Sequence, residues 1–320
     1  MHFRQLDLNL LVALDALLSE RSITEAGRRL HVTQSAMSGS LARLREYFHD
    51  ELLVQVGRKM VPTALAESLA DPVREILLKI RLAVDSKPAF NPETSTRRFS
   101  LMMSDYVSTV LMNDALQRIA LRAPNVSFEM ISNDLPNYND ALERCDVDLL
   151  IMPRDYLAKE QPFEPLFTDD YACVVWKGNR SIGATISAEE YLQLGHVCVQ
   201  LGRGISPMID DWFLSRHDIS RRIEVLAMNF NSIPQHVVGT QRIATIHRRL
   251  AEYYCRCLPL RIVPCPVELP AVTEAMQWHN YFNQDAGLSW LRSQLKEAAA
   301  AAVLEDQPDD SYRRRAALIS

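Results

Sequence analysis

Gln34, Ser35, Ser38 and Ser40 place four small polar side chains within one short stretch, and Arg43 and Arg45 follow them. On a helix these groups lie away from the side carrying Ala36, Met37, Leu41 and Leu44, which the spacing makes the buried side. A glutamine amide pairs bidentately with adenine, a serine hydroxyl bonds to several base edges, and arginine suits guanine or phosphate. Thr33 stands where such a helix needs an N-cap oxygen. The chemistry of this stretch is therefore readout of base edges in a DNA groove.

A helix can read DNA only if other elements hold it out. Residues 23–30 form a preceding helix with Ile23, Ala26 and Leu30 inward, and His31 and Val32 break the pattern before Thr33. Upstream, Leu6, Leu8, Leu10, Leu11, Leu14, Leu17 and Leu18 make an apolar first helix. Downstream, residues 52–56 and Met60-Val61 flank Gly57-Arg58-Lys59, a short β-hairpin with a basic tip. Arg58 at that tip would suit the negative potential of a minor groove, with Lys59 beside it. Between positions 21 and 45, five arginines face only Glu25, a local balance of +4 in a chain of net charge −5. A solvated surface hairpin would carry the same charges, but it would not need the apolar helix and the basic hairpin on either side.

Residues 5–65 resemble the winged helix-turn-helix domain of LysR-type transcriptional regulators. The resemblance rests on Leu8-Asn9-Leu10-Leu11, on Ser22-Ile23-Thr24-Glu25-Ala26, on the run from Leu30 to Ser38, on Leu41, Leu44 and Arg45, and on Leu52-Leu53 and Gly57-Arg58. Two positions depart from the pattern: Gly27 stands where a second Ala is common, and Gln55 where an Arg is common. The first would loosen the hairpin slightly, and the second removes a phosphate contact.

Thr63 reads as the N-cap of a long helix over residues 64–84, whose apolar stripe is Leu65, Leu69, Val73, Ile76, Ile80 and Val84. Pro72 would kink it or break it after Asp71. The stripe would pack on its own chain or on a second copy; the resemblance implies the second, with paired linker helices holding two DNA-reading heads. Residues 87–96, rich in Pro, Ser and Thr, read as a hinge.

From Arg97 onward, strands expected at 99–103, 126–131, 147–152, 172–176, 196–200, 223–227, 243–246 and 275–278 alternate with helices, which indicates an α/β fold with largely parallel sheets. The family resemblance extends here and implies an effector-binding domain like periplasmic solute-binding proteins. Two subdomains, about 97–168 with 269–305 and about 169–268, would enclose a ligand cleft, and residues 306–320 would be a disordered tail. Ligands in such folds sit at strand ends and helix starts. The candidates are Ser104, Asp105, Ser132, Asn133, Arg203, Asn229, Asn231, His247 and Gln277. Each could equally be a cap or turn residue. Arg203, between Gly202 and Gly204, could hold an anionic or phenolic oxygen.

Hydrophobic content of 48% and charged content of 23% over 320 residues suit a globular chain of two or three domains. The apolar first helix lacks a basic N-region and a cleavage site, and no apolar run reaches membrane-spanning length, so a cytoplasmic location is expected. The cysteines at 145, 173, 198, 255, 257 and 265 form no Cys-x-x-Cys pair and are expected to be structural, Cys173 and Cys198 as buried strand residues. No Walker, Gly-x-Ser-x-Gly or His-Glu-x-x-His motif is present, and Gly202–Gly204 lacks the rest of a dinucleotide fingerprint. Asp169-Asp170 and Asp210-Asp211 read as solvated acids. No enzyme activity, metal or cofactor is expected.

Trp278-His279, Asn283-Gln284-Asp285-Ala286-Gly287 and Trp290-Leu291-Arg292 resemble the C-terminal region of regulators of nodulation genes and of naphthalene or nitroaromatic breakdown. That resemblance implies an activator that binds double-stranded promoter DNA as a homodimer or homotetramer, answers a phenolic or other aromatic inducer, and contacts RNA polymerase. The alternatives are a redox-sensing regulator and a small-molecule-binding protein with no transcriptional role.

Overall fold

A computed structural model describes residues 7–57, 59–85, 90–132, 138–200 and 221–304. The chain falls into two compact units, Met1–Pro88 and Ala89–Ser320. Among the described residues no helix is long and apolar enough to cross a membrane.

The first unit is built from helices that carry their own start signals. Asp7 caps α1 (Leu8–Glu20), Ser22 caps α2 (Ile23–Arg29) and Thr33 caps α3 (Gln34–Phe48), each side chain accepting a backbone N–H of the first turn. His31, at φ 54°, makes the turn between α2 and α3. Leu10, Leu14 and Leu17 of α1 pack with Ala26, Met37, Leu41, Leu44, Leu52 and Leu53 in one core. Ala36 is exposed rather than buried, because it lies one residue off the Met37–Leu41–Leu44 side. Strands β1 (Leu53–Val56) and β2 (Lys59–Pro62) pair antiparallel, and the intervening Gly57 has φ 63°, as a two-residue hairpin loop requires.

Helix α4 (Ala64–Asp85) runs through Pro72 unbroken, which rules out a break after Asp71. Its inner side differs from the expected stripe. Ala66 and Val73 are buried against the core and Leu69 and Leu77 pack on it, while Leu65 and Ile76 are exposed. Asp15 of α1 lies 3.6 Å from Arg29 of α2 and 3.7 Å from Arg74 of α4, so one carboxylate ties three helices together.

Among the described residues the second unit holds two five-stranded sheets with the same plan. The first has the order β4-β3-β5-β12-β6: β4 (Ser127–Ser132), β3 (Arg98–Met103), β5 (Leu149–Pro153), β12 (Val272–Gln277) and β6 (Phe163–Asp169). The second has the order β11-β7-β10-β8-β9: β11 (Leu260–Val263), β7 (Tyr171–Trp176), β10 (Ile243–His247), β8 (Gly195–Val199) and β9 (Arg222–Ala227). In each sheet one strand, β12 in the first and β7 in the second, runs antiparallel to both its neighbours, and the other four run the same way. The sheets are thus largely parallel in strand direction, each with one reversed strand next to its edge. The chain crosses between them twice, from β6 to β7 and from β11 to β12. Strands β6 and β11 were not expected from the sequence.

Helix α5 (Asp105–Val107), a π-helical turn (Ser108–Met112) and α6 (Asn113–Arg122) follow β3. Among the described residues of this unit the other α-helices are α7 (Tyr138–Glu143), α8 (Ala188–Gln193), α9 (Ile233–Val237), α10 (Arg248–Cys257) and α11 (Ala286–Leu304). Gly202–Gly204, Asp210-Asp211, the expected helix at 207–214 and the tail at 306–320 lie outside the described residues.

Candidate DNA-reading head and inter-sheet junction

In the first unit, Gln34, Ser35, Ser38, Gly39, Ala42 and Arg43 form the exposed side of α3. A Cβ at Gly39 would meet nothing within 4 Å, so this side is open. Thr33 is committed as the cap, its Oγ1 accepting from the Ala36 N–H at 3.2 Å and lying 3.0 Å from Ser35 Oγ. Ser40 donates to the Ala36 carbonyl at 3.2 Å, which turns its hydroxyl back onto its own helix. Arg43 is largely exposed and lies 3.6 Å from Asp7. Lys59 is exposed at the start of β2, and Arg58 lies outside the described residues.

Arg45 has a different task from the one its sequence position suggested. Its Nε donates to the Glu51 carbonyl and its Nη2 to the Leu53 carbonyl, both at 2.8 Å, so it braces the start of the β-hairpin. Asp50 secures the other side of the same root: its Oδ1 accepts from Leu52 N–H and from Thr63 Oγ1, both at 2.6 Å. The Thr63 hydroxyl bond, then the Leu52 N–H bond, hold the Asp50 carboxyl below its usual range. The basic patch is also narrower than its residue count. Arg28 pairs with Glu25 at 2.6 Å, and Arg29 lies within ion-pair reach of Asp15 and Glu20. Gly27 is buried where a Cβ would come 3.1 Å from the Val32 carbonyl, so its bareness admits the turn rather than loosening it.

In the second unit three of the predicted residues, Asp105, Asn231 and His247, meet at the junction between the sheets. Asp105, at the start of α5, accepts N–H bonds from Phe230 at 3.2 Å and Asn231 at 2.7 Å. The Asn231 amide returns a bond to the Asp105 carbonyl at 3.2 Å, and Thr109 Oγ1 donates to Asn231 Oδ1 at 3.1 Å. Asp105 and Thr109 follow the first sheet's β3, and Phe230 and Asn231 follow the second sheet's β9, so these bonds are a latch between the two layers.

Next to the latch, Tyr106 donates to Asp169 Oδ2 at 2.6 Å. Asp169 is buried rather than solvated, and that burial raises its carboxyl. The His247 ring stacks on Tyr106 at 4.0 Å and on Tyr171 at 4.9 Å, and its Nδ1 has no hydrogen-bond partner. Burial pushes His247 down to about 3, keeping it neutral. Glu274 on β12 is buried with Oε2 unpartnered, and burial and then the Asp169 charge push it up to about 8. Beside this cluster is a cavity of about 280 Å³ whose walls include Asp169, Asp170, Arg248 and Arg249.

The remaining candidates are distributed differently. Ser104 is buried and caps α5 through Val107 N–H at 3.2 Å. Asn229 caps the turn at Phe230–Ser232 through Ser232 N–H at 2.9 Å. Gln277 is fully buried and bonds to both the N–H and the carbonyl of Ala158. Ser132 ends β4 and is exposed. Asn133 and Arg203 lie outside the described residues. Tyr106, Thr109, Asp169, Phe230 and Glu274 belong to the junction, yet no local pattern marks them, because their partners are distant in sequence.

Comparison with known proteins matches residues 8–67 to the family described as bacterial regulatory helix-turn-helix protein, lysR family, and residues 92–300 to the LysR substrate binding domain. Nodulation protein D 1 of Bradyrhizobium diazoefficiens is 41% identical over 315 residues, covering 98% of this chain and 100% of that protein. Nodulation protein D 1 of Rhizobium meliloti is 43% identical over 300 residues, covering 94% and 97%. Among solved structures, a probable transcriptional regulator from Pseudomonas aeruginosa is 27% identical with a TM-score of 0.64, covering 92% of this chain and 97% of that one.

Proposed function

The chain belongs to the LysR family of bacterial transcriptional regulators, and from that premise we propose that it is a ligand-responsive activator answering a phenolic or other aromatic inducer. LysR regulators bind DNA and small-molecule effectors and work as oligomers. In this reading Gln34, Ser35 and Ser38 read base edges, Arg43, Lys59 and Arg58 contact phosphate or minor groove, and α4 links the head to the effector half and pairs with a second copy. The effector half works like a periplasmic solute-binding protein, and a homodimer or homotetramer in the cytoplasm contacts RNA polymerase at a promoter.

The observation that carries the switch is the Asp105–Asn231 latch, which joins the segment after β3 of the first sheet to the segment after β9 of the second. An inducer acts only through a difference in affinity for two arrangements of the sheets. A latch of a few hydrogen bonds is a contact that such a difference can outweigh. The junction is also aromatic on both sides: Tyr106 and Phe167 come from the first layer, Phe230 and His247 from the second. Rings of this kind favour a flat aromatic ligand over an aliphatic one.

Footprinting on the DNA upstream of its own gene and the neighbouring operon, with and without a panel of phenolics, tests the reading. A protected region that changes length or hypersensitive sites with one phenol is the expected result. Specific binding indifferent to the whole panel would discard the aromatic inducer and keep the regulator.

A further inference from the structure

Helix α4 is tied to the DNA-reading head at two points along its length. At its start, Thr63 Oγ1 accepts from Ala66 N–H at 3.2 Å and donates to Asp50 Oδ1 at 2.6 Å. Further along, Arg74 Nε lies 3.7 Å from Asp15 Oδ1 on α1. The second Asp15 oxygen lies 3.6 Å from Arg29 Nη2 in the last turn of α2, just before the turn that leads into α3. These side chains are shielded, with exposures of 15% for Asp15, 20% for Arg74 and 24% for Arg29. Shielding decides their worth, because ion pairs in open solvent contribute little. Asp15 stands among Leu11, Leu14 and Leu18 of α1, all buried.

We propose that Asp15 is a positioning residue: it sets the angle between α4 and the reading head, and through that angle the half-site spacing a dimer accepts. The inference rests on the reading that α4 pairs with a second copy. A helix held at one end pivots, and a helix held at two points has a direction. From Thr63 to Arg74 α4 rises about 16 Å, and from Arg74 to Asp85 about as much again, so a small shift at Arg74 is roughly doubled at the far end. Val73 and Leu77 press α4 onto the core without fixing that direction, because apolar burial is non-directional. The Asp15 carboxylate does fix it. It draws the guanidinium groups of Arg29 and Arg74 to one place, although they repel each other.

Spacing is where such an angle is read. Two heads on paired linker helices dock their recognition helices in the major groove, and the separation they accept follows from how each α4 leaves its head. Gln34, Ser35 and Ser38 choose the sequence, and Asp15 chooses the distance. Loss of its charge leaves Arg29 with Glu20, at 3.5 Å, and Arg74 with Asp71, at 3.3 Å, but removes their common partner.

The test uses the full-length protein and the duplex that wild type selects most strongly from a random DNA pool, remade with one or two base pairs added or removed at its centre. Fluorescence anisotropy gives a Kd for each duplex, well below the melting temperature. Wild type is expected to bind the selected spacing more tightly than its neighbours. Asp15→Asn should lose about fivefold of that discrimination while selecting the same half-site bases. Arg74→Met should do the same, and Glu20→Gln, which changes an α1 partner of Arg29, should keep wild-type strictness. Equal strictness in Asp15→Asn and wild type, or an equal loss of affinity at every spacing, would overturn the proposal and leave the pairing of α4 standing. A wild type indifferent to spacing would overturn that pairing and the proposal with it.

Discussion

Asp105 and Asn231 bind each other twice, Asn231 N–H to the Asp105 carboxylate at 2.7 Å and the Asn231 amide to the Asp105 carbonyl at 3.2 Å. The first is a bond to a charged acceptor and the stronger of the two. Asp105→Ala removes that acceptor and leaves the Phe230 and Asn231 N–H groups to find water. The expected loss is about 1–3 kcal/mol of stability by urea unfolding with the m-value unchanged. The operator footprint without inducer should also shift toward the induced pattern. A footprint identical to wild type would separate the latch from the switch.

Gln34→Ala and Ser38→Ala change side chains that face outward from α3 and touch no core residue. Each is expected to weaken specific operator binding by about 1–3 kcal/mol while nonspecific binding and the unfolding midpoint stay the same. Gel shifts with operator and scrambled DNA check this, and equal loss on both DNAs would deny base readout.

Arg43 and Arg45 sit two residues apart, and their variants should fail differently. Arg43 is largely exposed, whereas Arg45 bonds to two backbone carbonyls at the hairpin root. Arg43→Ala should lower the salt slope of DNA binding by about one and leave stability unchanged. Arg45→Ala should lower the melting temperature with the salt slope unchanged, since its charge serves the fold. Interchanged results would place Arg45 on phosphate.

Glu274, pushed up to about 8 by burial, makes stability depend on pH with a definite sign. Between its unfolded value and about 8, the folded state holds a proton that the unfolded state has released. Stability contributed by the neutral carboxyl is therefore fully present at low pH and is lost as pH rises through that window, by up to about 1.4 kcal/mol per pH unit. Asp169, also raised, adds the same sign. His247, pushed down to about 3, acts oppositely, costing stability as pH falls below its unfolded value. The difference between wild type and Glu274→Gln isolates the carboxyl: the variant should gain relative stability steadily from pH 5 to 8. A pH-independent difference in thermal melts would show that Glu274 is ionised in the fold.

The head was legible because each of its helices announces itself locally. Asp7, Ser22 and Thr33 stand at the caps, and Leu14, Met37 and Leu44 recur at helical spacing. Strands β6 and β11 were missed for a physical reason. Both lie at sheet edges, where Pro165 is tolerated in one and four residues suffice for the other. The junction was half legible. Strand ends pointed to Asp105, Asn231 and His247, but the Tyr106–Asp169 bond joins residues whose meeting depends on the whole fold. Arg45 shows the opposite limit: its residue type suits DNA, and only its distances to Glu51 and Leu53 assign it to the hairpin.

Strand β12 lies between β5 and β6 in the first sheet, although the entire second sheet is encoded before it. On the ribosome, β5 and β6 emerge early and must wait with bare edges until residues 272–277 arrive. The first layer therefore matures after the second, by a pairing of long sequence separation that is slow to find. Until then the nascent chain presents the kind of unpaired edge that invites association with other chains. A chain cut between Val263 and Val272 would keep every strand of the second sheet and still leave β6 of the first without its neighbour.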